Sequence, residues 1–419
     1  MDNKNNWQTK KLGEVCKTTS GGTPSRRNSN YYNGTIPWVK SGELDKGVIY
    51  DTEEKITEEA IKKSSAKVFP KGSLLIALYG ATIGKLAFLG VDAASNQAVC
   101  GIYENDSVDL KYLYNFLLFK RPELIQQGIG GAQPNISQTI LKSLDLPLPP
   151  LPEQRAIVKK LESLFSSLDA GVADLKKAQQ QLKIYRQAVL KKAFDSNAEF
   201  FRIGECFSFL GGGTPSKQNK GYWNGNINWA SIKDIKGDIL NNTIDYITED
   251  GLKNSSSNLA EKNEVILATR INPGKTIISN IRTAINQDLK VIKPFYKCDY
   301  KYIHYLFKSI EHKCLKVSSG TTVLGISLAN LKEIEIPFEK DIQQQAKIVK
   351  EIESRLSVCD SIEQNIKESL EKAEALRQSI LKKAFEGNLL TAQELAECKL
   401  AKDYEPAGVL LEKMKMSKK

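Results

Sequence analysis

Histidine is scarce in this sequence, and its scarcity excludes much enzyme chemistry. Only His304 and His312 occur, eight residues apart in the second half of the chain. A histidine base or a histidine-ligated metal would have to come from that pair. No Gly-x-Ser-x-Gly or His-Glu-x-x-His motif is present. Asn/Asp-Pro-Pro-Tyr/Phe, with which amino-directed DNA methyltransferases hold a flipped base, is also missing, and Pro149-Pro150 is flanked by leucines. The seven cysteines (Cys16, Cys100, Cys206, Cys298, Cys314, Cys359, Cys398) contain no Cys-x-x-Cys pair. Their odd number and irregular spacing argue against a disulfide framework and a zinc site, so reduced thiols in a cytoplasm are expected. The N-terminal MDNKNNWQTKKLGEV lacks a signal peptide's apolar core, and no apolar run approaches the length of a membrane span. Two Gly-Lys pairs invite a phosphate-loop reading. Before Gly274-Lys275-Thr276, however, the first glycine's place is held by Thr269, and Gly80 stands one residue too close to Gly84-Lys85. Gly128-Ile129-Gly130-Gly131 lacks the strand and helix context of a dinucleotide fingerprint and reads as a flexible loop.

What is present is positive charge and repetition. Lysine and arginine number 60 against 49 acidic residues, a formal charge of +11 spread along the chain. A broadly basic surface favours a polyanionic partner, of which nucleic acid is the commonest. A chain of 419 residues, 41% hydrophobic, is long enough for two cores with connecting elements.

The repeat is domain-sized. Residues 21–25 and 212–216 both read GGTPS, a shift of 191 (Gly21 against Gly212). At that shift Tyr31-Tyr32-Asn33-Gly34 faces Tyr222-Trp223-Asn224-Gly225, and Trp38 faces Trp229. Gly84-Lys85 and Asn96-Gln97 match Gly274-Lys275 and Asn286-Gln287 at 190, as Asp109-x-Lys111-Tyr112 matches Asp299-x-Lys301-Tyr302. Residues 186–194 match 377–385 at 191 again. Segments between these anchors diverge, so similar scaffolds carry different surfaces. Each copy reads as mixed α/β, with strand-like runs at 74–78 and 265–268 and helix-like stretches at 110–119 and 300–308.

Each copy ends in a long helix. After Pro147, Pro149, Pro150 and Pro152, residues 153–194 contain no proline and one glycine, Gly171. Leu161, Leu168, Leu175, Leu182 and Val189 recur every seven residues, with Leu164, Ala178 and Tyr185 as companions three residues on. Ile352, Cys359, Ile366, Ala373 and Ile380 repeat the stripe, with Ile362 and Leu376 as companions. A heptad stripe this long predicts a coiled coil, most simply an antiparallel pair formed by the two helices. The other faces carry Lys159, Lys160, Lys176, Lys177, Lys183 and Arg186, then Lys367, Glu368, Glu371 and Lys372, a solvated pattern.

The GGTPS pair, the PLPPLPEQRAIV boundary at 147–158 and the LKKAF helix ends make the chain resemble the specificity subunits of Type I restriction–modification systems, over residues 10 to 390 or so. The second boundary, PFEKDIQQQA, departs from the pattern: it lacks Pro-Glu-Gln but keeps Gln343 to Gln345. The resemblance implies target-recognition domains at 1–150 and 196–338 and spacer helices at 151–195 and 339–387; the charged, partly helical tail at 388–419 is expected to fold back on the first module. It implies a non-catalytic subunit in which each module reads one half of a bipartite, asymmetric double-stranded DNA site, with the helices fixing the gap. Two methyltransferase subunits would bring S-adenosylmethionine and methylate adenine. Motor-nuclease subunits would add ATP- and Mg²⁺-dependent cleavage, and this chain itself would bind no cofactor. A duplicated coiled-coil scaffold that binds only proteins is the alternative, and a stand-alone modification enzyme is disfavoured by the missing motifs.

Base reading is expected from polar or basic positions that differ between copies: Arg26, Arg27, Lys40, Ser41 and Tyr79 in the first, Lys217, Ser231, Lys233, Arg270 and Asn272 in the second. Lys85 and Lys275, common to both, suit phosphate contact. Trp38, Trp229 and the GGTPS turns, also shared, are expected to serve the scaffold.

Overall fold

The computed structural model describes residues 7–128, 135–195, 199–320 and 322–409; the glycine-rich stretch at 129–131 lies outside them. The chain divides into two compact units, one of Met1–Ala173 with Leu370–Lys419, the other of Asp174–Ser369. The two long helices, Leu151–Asp195 and Ile342–Phe385, therefore each contribute a segment to both units.

In the first unit a five-stranded sheet has the order Thr18–Ser20, Val99–Ile102, Leu74–Ala77, Leu86–Leu89, Gly47–Ile49. Only the last pairing is parallel. A four-stranded sheet has the order Lys55–Ile56, Tyr32–Val39, Ala93–Ser95, Val68–Phe69, and a ribbon joins Gln8–Lys11 to Asp145–Leu148. The second unit repeats this order in Phe207–Gly211, Leu289–Pro294, Val265–Ala268, Thr276–Ser279 and Ile239–Leu240. Its smaller sheet runs Asp245–Ile247, Trp223–Ala230, Thr283–Ile285, Leu259–Ala260, and Glu199–Arg202 pairs with Glu335–Phe338. The unbroken apolar run at 74–77 follows from burial on both faces. Leu74 and Ile76 pack in the core beneath the helix Leu110–Gln126, while Leu75 and Ala77 pack with Val39, Ile49 and Phe69.

The Asp-x-Lys-Tyr repeat joins each globular segment to its long helices. Asp109 caps its helix by accepting from the Lys111 and Tyr112 N–H groups, and Asp299 does the same for Lys301 and Tyr302. Lys111 reaches Glu162 at 2.9 Å and Lys301 reaches Glu353 at 2.7 Å, each glutamate lying on a long helix. The tyrosine ring packs on a helix-end phenylalanine, Tyr112 on Phe385 and Tyr302 on Phe194.

A buried glutamine completes each junction. Gln154 accepts from the Asp109 N–H and donates to the Pro149 and Ser107 carbonyls. Gln345 accepts from the Asp299 N–H and donates to the Glu339 carbonyl. Of the three glutamines at 343–345, the last thus stands in for the missing Pro-Glu-Gln. Gln345→Ala should cost about 1–3 kcal/mol by leaving buried backbone groups unpaired. The exposed Gln344→Ala should stay within about 0.5 kcal/mol of the parent. Denaturant titration of both variants checks the difference.

The heptad stripe is inward-facing, but its companions differ from the sequence expectation. Leu161, Leu182, Val189, Ile352, Cys359 and Ile366 are buried, and Leu168, Leu175, Ala373 and Ile380 are half-buried. The companions lie four residues after stripe members, not three. Phe165 is buried, whereas of the expected companions Leu164, Tyr185, Ile362 and Leu376 are exposed and only Ala178 is half-buried. Heptad steps alternate three and four, and the expected set took the wrong one. The corrected phase turns Arg186 and Arg377 toward the seam. In the first unit Arg377 pairs with Asp169 and lies 4.5 Å from the Phe165 ring. In the second, Arg186 pairs with Asp360 at 2.6 Å and Glu363 at 2.9 Å. The two bridges are one pair repeated at the shift of 191, and they fix antiparallel pairing: the later residue of each helix sets against the earlier of the other.

The tail belongs to the first unit. Its helix Ala392–Lys399 is capped by Thr391, Glu394 meets Lys160 at 2.7 Å, and Asp403 pairs with Arg155. Among the described residues no helix is long and apolar enough to cross a membrane, and no cluster of three His, Cys, Asp or Glu could hold a metal ion. All seven cysteines are free thiols.

Candidate nucleic-acid interface

Five of the nominated residues gather at one place on the smaller sheet: Lys217, Ser231 and Lys233 line a cleft in the second unit, and Arg26 and Lys40 lie at the matching position in the first. The floor of each is a tryptophan held by the GGTPS turn. Trp38 and Trp229 are buried and donate Nε1–H to the Gly22 and Gly213 carbonyls, both at 3.1 Å. The glycines are required by close approach: a Cβ on Gly22 would meet Ser65 backbone at 2.4 Å, and one on Gly212 would meet the Asn286 carbonyl at 2.2 Å. The threonine of each turn bonds a glutamine, Thr23 to Gln97 and Thr214 to Gln287.

On this common floor the two clefts differ. In the first unit the Arg26 guanidinium lies 4.4 Å from the Tyr32 ring centre and 5.1 Å from that of Trp38. It donates to Glu54 at 2.6 Å, and this bond holds the Glu54 carboxyl below the usual glutamate range. Lys40 bridges Glu53 at 2.8 Å and Glu54 at 3.2 Å. In the second unit the corresponding residues at the shift of 191 are Lys217, Trp223, Asp245 and Ser231. They line a cavity of about 620 Å³ with Lys233 and Asp288. Trp223 stands edge-on to Trp229, with 5.1 Å between ring centres.

A loop beside the cleft absorbs the one-residue change of period. In the first unit Gly84 N–H bonds the Ala77 carbonyl across six intervening residues, and in the second Gly274 N–H bonds Ala268 across five. The shorter loop puts Ile271 at φ +69° where the first unit has Gly80 at +63°. A β-branched side chain there costs on the order of 1–3 kcal/mol. Its neighbour Arg270 reaches Asp288 at 3.3 Å on the cavity wall.

Lys217, Lys233 and Arg270 thus meet at one cleft, and Arg26 and Lys40 at its counterpart. Arg27 is exposed one residue from Arg26, and Ser41 is half-buried one residue from Lys40. Tyr79 and Asn272 are exposed on the loops of changed period. Ser231 is a correction: it is buried, and its hydroxyl and N–H both donate to Asp234, so it shapes the cavity and is not free to read a base. Lys85 is tied to Asp45 at 2.9 Å, while Lys275 is half-buried on its turn. Tyr32, Glu54, Trp223 and Asp245 were passed over in sequence. Their signal in the sequence is the 191-residue alignment of an aromatic and a carboxylate in both copies.

One array resembles a catalytic triad without being accessible. Thr276 Oγ1 lies 3.0 Å from His304 Nδ1, and His304 Nε2 lies 3.4 Å from Asp238, which Lys308 also binds at 2.6 Å. His304 and the Lys308 ammonium beside it hold the Asp238 carboxyl far below its ordinary value. Thr276 and His304 are sealed in the core, so the array joins a strand to a helix.

Residues 4–178 and 195–372 both match the Type I restriction modification DNA specificity domain. The chain is 30% identical over 190 residues to the Escherichia coli EcoR124I/EcoR124II specificity subunit, covering 43% of this chain and 46% of that protein. It is 26% identical to the EcoKI specificity subunit of E. coli strain K12, over 91% of this chain and 88% of that one. A chain solved in a study of complex assembly and conformational transition of the type I R-M system shares the fold. Its TM-score is 0.74 at 21% identity, over 91% of this chain and 98% of that chain. With the domain matched twice over most of its length, this chain belongs to the specificity-subunit family of Type I restriction–modification systems.

Proposed function

We propose that the chain is the sequence-reading, non-catalytic component of a cytoplasmic Type I restriction–modification complex acting on double-stranded DNA. Each unit reads one half of a bipartite, asymmetric site, and the paired helices set the gap between halves. Two modification subunits carry S-adenosylmethionine and methylate adenine, and motor-nuclease subunits supply ATP- and Mg²⁺-dependent restriction. The observation that carries this reading is one cleft built twice with different chemistry: Arg26, Tyr32 and Glu54 in one copy, Lys217, Trp223 and Asp245 in the other. A common frame with unlike contents suits two different half-sites. Linking two weak readers rigidly raises affinity and rejects wrongly spaced halves.

The test is binding by the full chain assembled with its methyltransferase partner, at moderate salt, where phosphate contacts alone give sequence-blind association. Selection from a random duplex pool should return two defined words at a constant separation. Exchanging residues 1–150 for the same segment of a relative should change one word and leave the other. Sequence-blind binding by the intact complex would falsify the reading.

A further inference from the structure

The two clefts differ in what fills them. In the first unit the chain's own Arg26 lays a planar, amine-edged group against Tyr32 and Trp38, with its N–H aimed at Glu54. In the second the same position carries Lys217, exposed and without that planar head, and the space remains a cavity of about 620 Å³. The aromatic wall is retained in Trp223 and Trp229, and the carboxylate in Asp245, which makes no ion pair among the described residues. We propose that this cleft receives an extrahelical nucleobase bearing an amino group, occupying the place that Arg26 takes in the other unit. The inference rests on the DNA-reading function proposed above.

Three features select the occupant. The cleft is concave, so a base still in the stack cannot enter it, whereas a base swung out of the duplex can. Its walls offer an indole for stacking, and the Asp245 carboxylate plus the exposed Gln287 amide to meet a polar edge. Among bases, guanine's N1–H and 2-amino group come nearest to the guanidinium edge that Glu54 accepts in the first unit. The rim decides between DNA and a partner protein's arginine. Lys217 and Lys233 are both exposed there, and Arg270 neutralises Asp288. The remaining positive charge repels an arginine and draws a phosphate backbone.

The experiment uses the full complex and its selected duplex, with one mispaired base introduced at a time across the half-site that the second unit reads. A mispaired base is cheaper to extrude, so one position should bind on the order of tenfold more tightly when mispaired. Replacing that base by inosine, which lacks the 2-amino group, should remove the gain. The pair Lys217→Arg with Asp245→Glu rebuilds the Arg26–Glu54 plug and should also abolish it. The first unit's half-site should still be selected, which reports a folded variant. A selective complex with no such position, or a gain that survives the plug, overturns the proposal while leaving the function standing. If the plug leaves base preferences intact and instead weakens capture of the methyltransferase, the cleft holds a partner's arginine and the proposal is wrong. Sequence-blind binding by the unmodified complex would defeat the function, and this inference with it.

Discussion

Phe385→Ala should destabilise the first unit by about 3–5 kcal/mol, the cost of removing a large aromatic side chain from a core that cannot collapse around the gap. Phe385 closes the second long helix against three rings of the first globular segment: Tyr112 at 5.3 Å, Phe116 at 5.4 Å and Phe119 at 5.6 Å between centres. It is 6% exposed, in a cluster that also holds Leu161 and Leu381. Losing the ring therefore removes both apolar burial and edge contacts that a methyl group cannot replace. The damage should be local. Hydrogen exchange should quicken in the helix Leu110–Gln126 and hold its rate in Tyr300–Ser309, which packs instead on Phe194. Leu376→Ala, on the same helix but 51% exposed, should change stability by less than about 0.5 kcal/mol. Equal effects of the two substitutions would mean that the helix end is not anchored as described.

Shortening both long helices should move the half-sites without rewriting them. Removing seven residues from the middle of each keeps the heptad phase and retains the Arg186–Asp360 and Arg377–Asp169 bridges. A helix rises about 1.5 Å per residue, so the lost length is about 10 Å. At about 3.4 Å per base pair, the gap between methylated half-sites should shrink by about three base pairs. Methylome sequencing of cells carrying the altered subunit reads both quantities at once. Altered words with an unchanged gap would remove the ruler role. Removing a heptad from one helix alone should do worse: the stripe keeps its phase, but with one bridge in register the other arginine faces a residue about two turns from its carboxylate.

Much of the architecture was legible because duplication supplied its own alignment. The GGTPS turns, the Asp-x-Lys-Tyr caps and the LKKAF ends each recur because a backbone contact, a cap or a buried ring demands them, and such demands are local enough to read as motifs. The mixed α/β modules and the antiparallel helices followed from periodicity. The companion stripe was missed because Leu164 and Leu376 look like core residues, and only packing shows that Phe165 and Arg377 take the seam. The cleft was half legible. Its cations stood out as charges that differ between copies, but Glu54, which binds Arg26, and Asp245, which shares a cavity with Lys217, are distant from them in sequence and are brought close only through strand pairing. Ser231 misled because a polar residue in a divergent segment resembles a reader until its hydroxyl is seen bonded to Asp234.

The way the chain is shared out between its units bears on how it is made. The second unit is one continuous stretch, Asp174–Ser369, but the first needs both ends of the chain. On the ribosome the segment synthesised first is therefore the last to be finished. Its aromatic socket of Tyr112, Phe116 and Phe119 must wait for Phe385, made more than two hundred residues later. At synthesis rates of about 5–20 residues per second, that pause lasts roughly ten seconds to a minute. A nascent chain holding bare apolar surface for that time is a natural client for chaperones, and a message truncated before Phe385 would leave a reader that never closes.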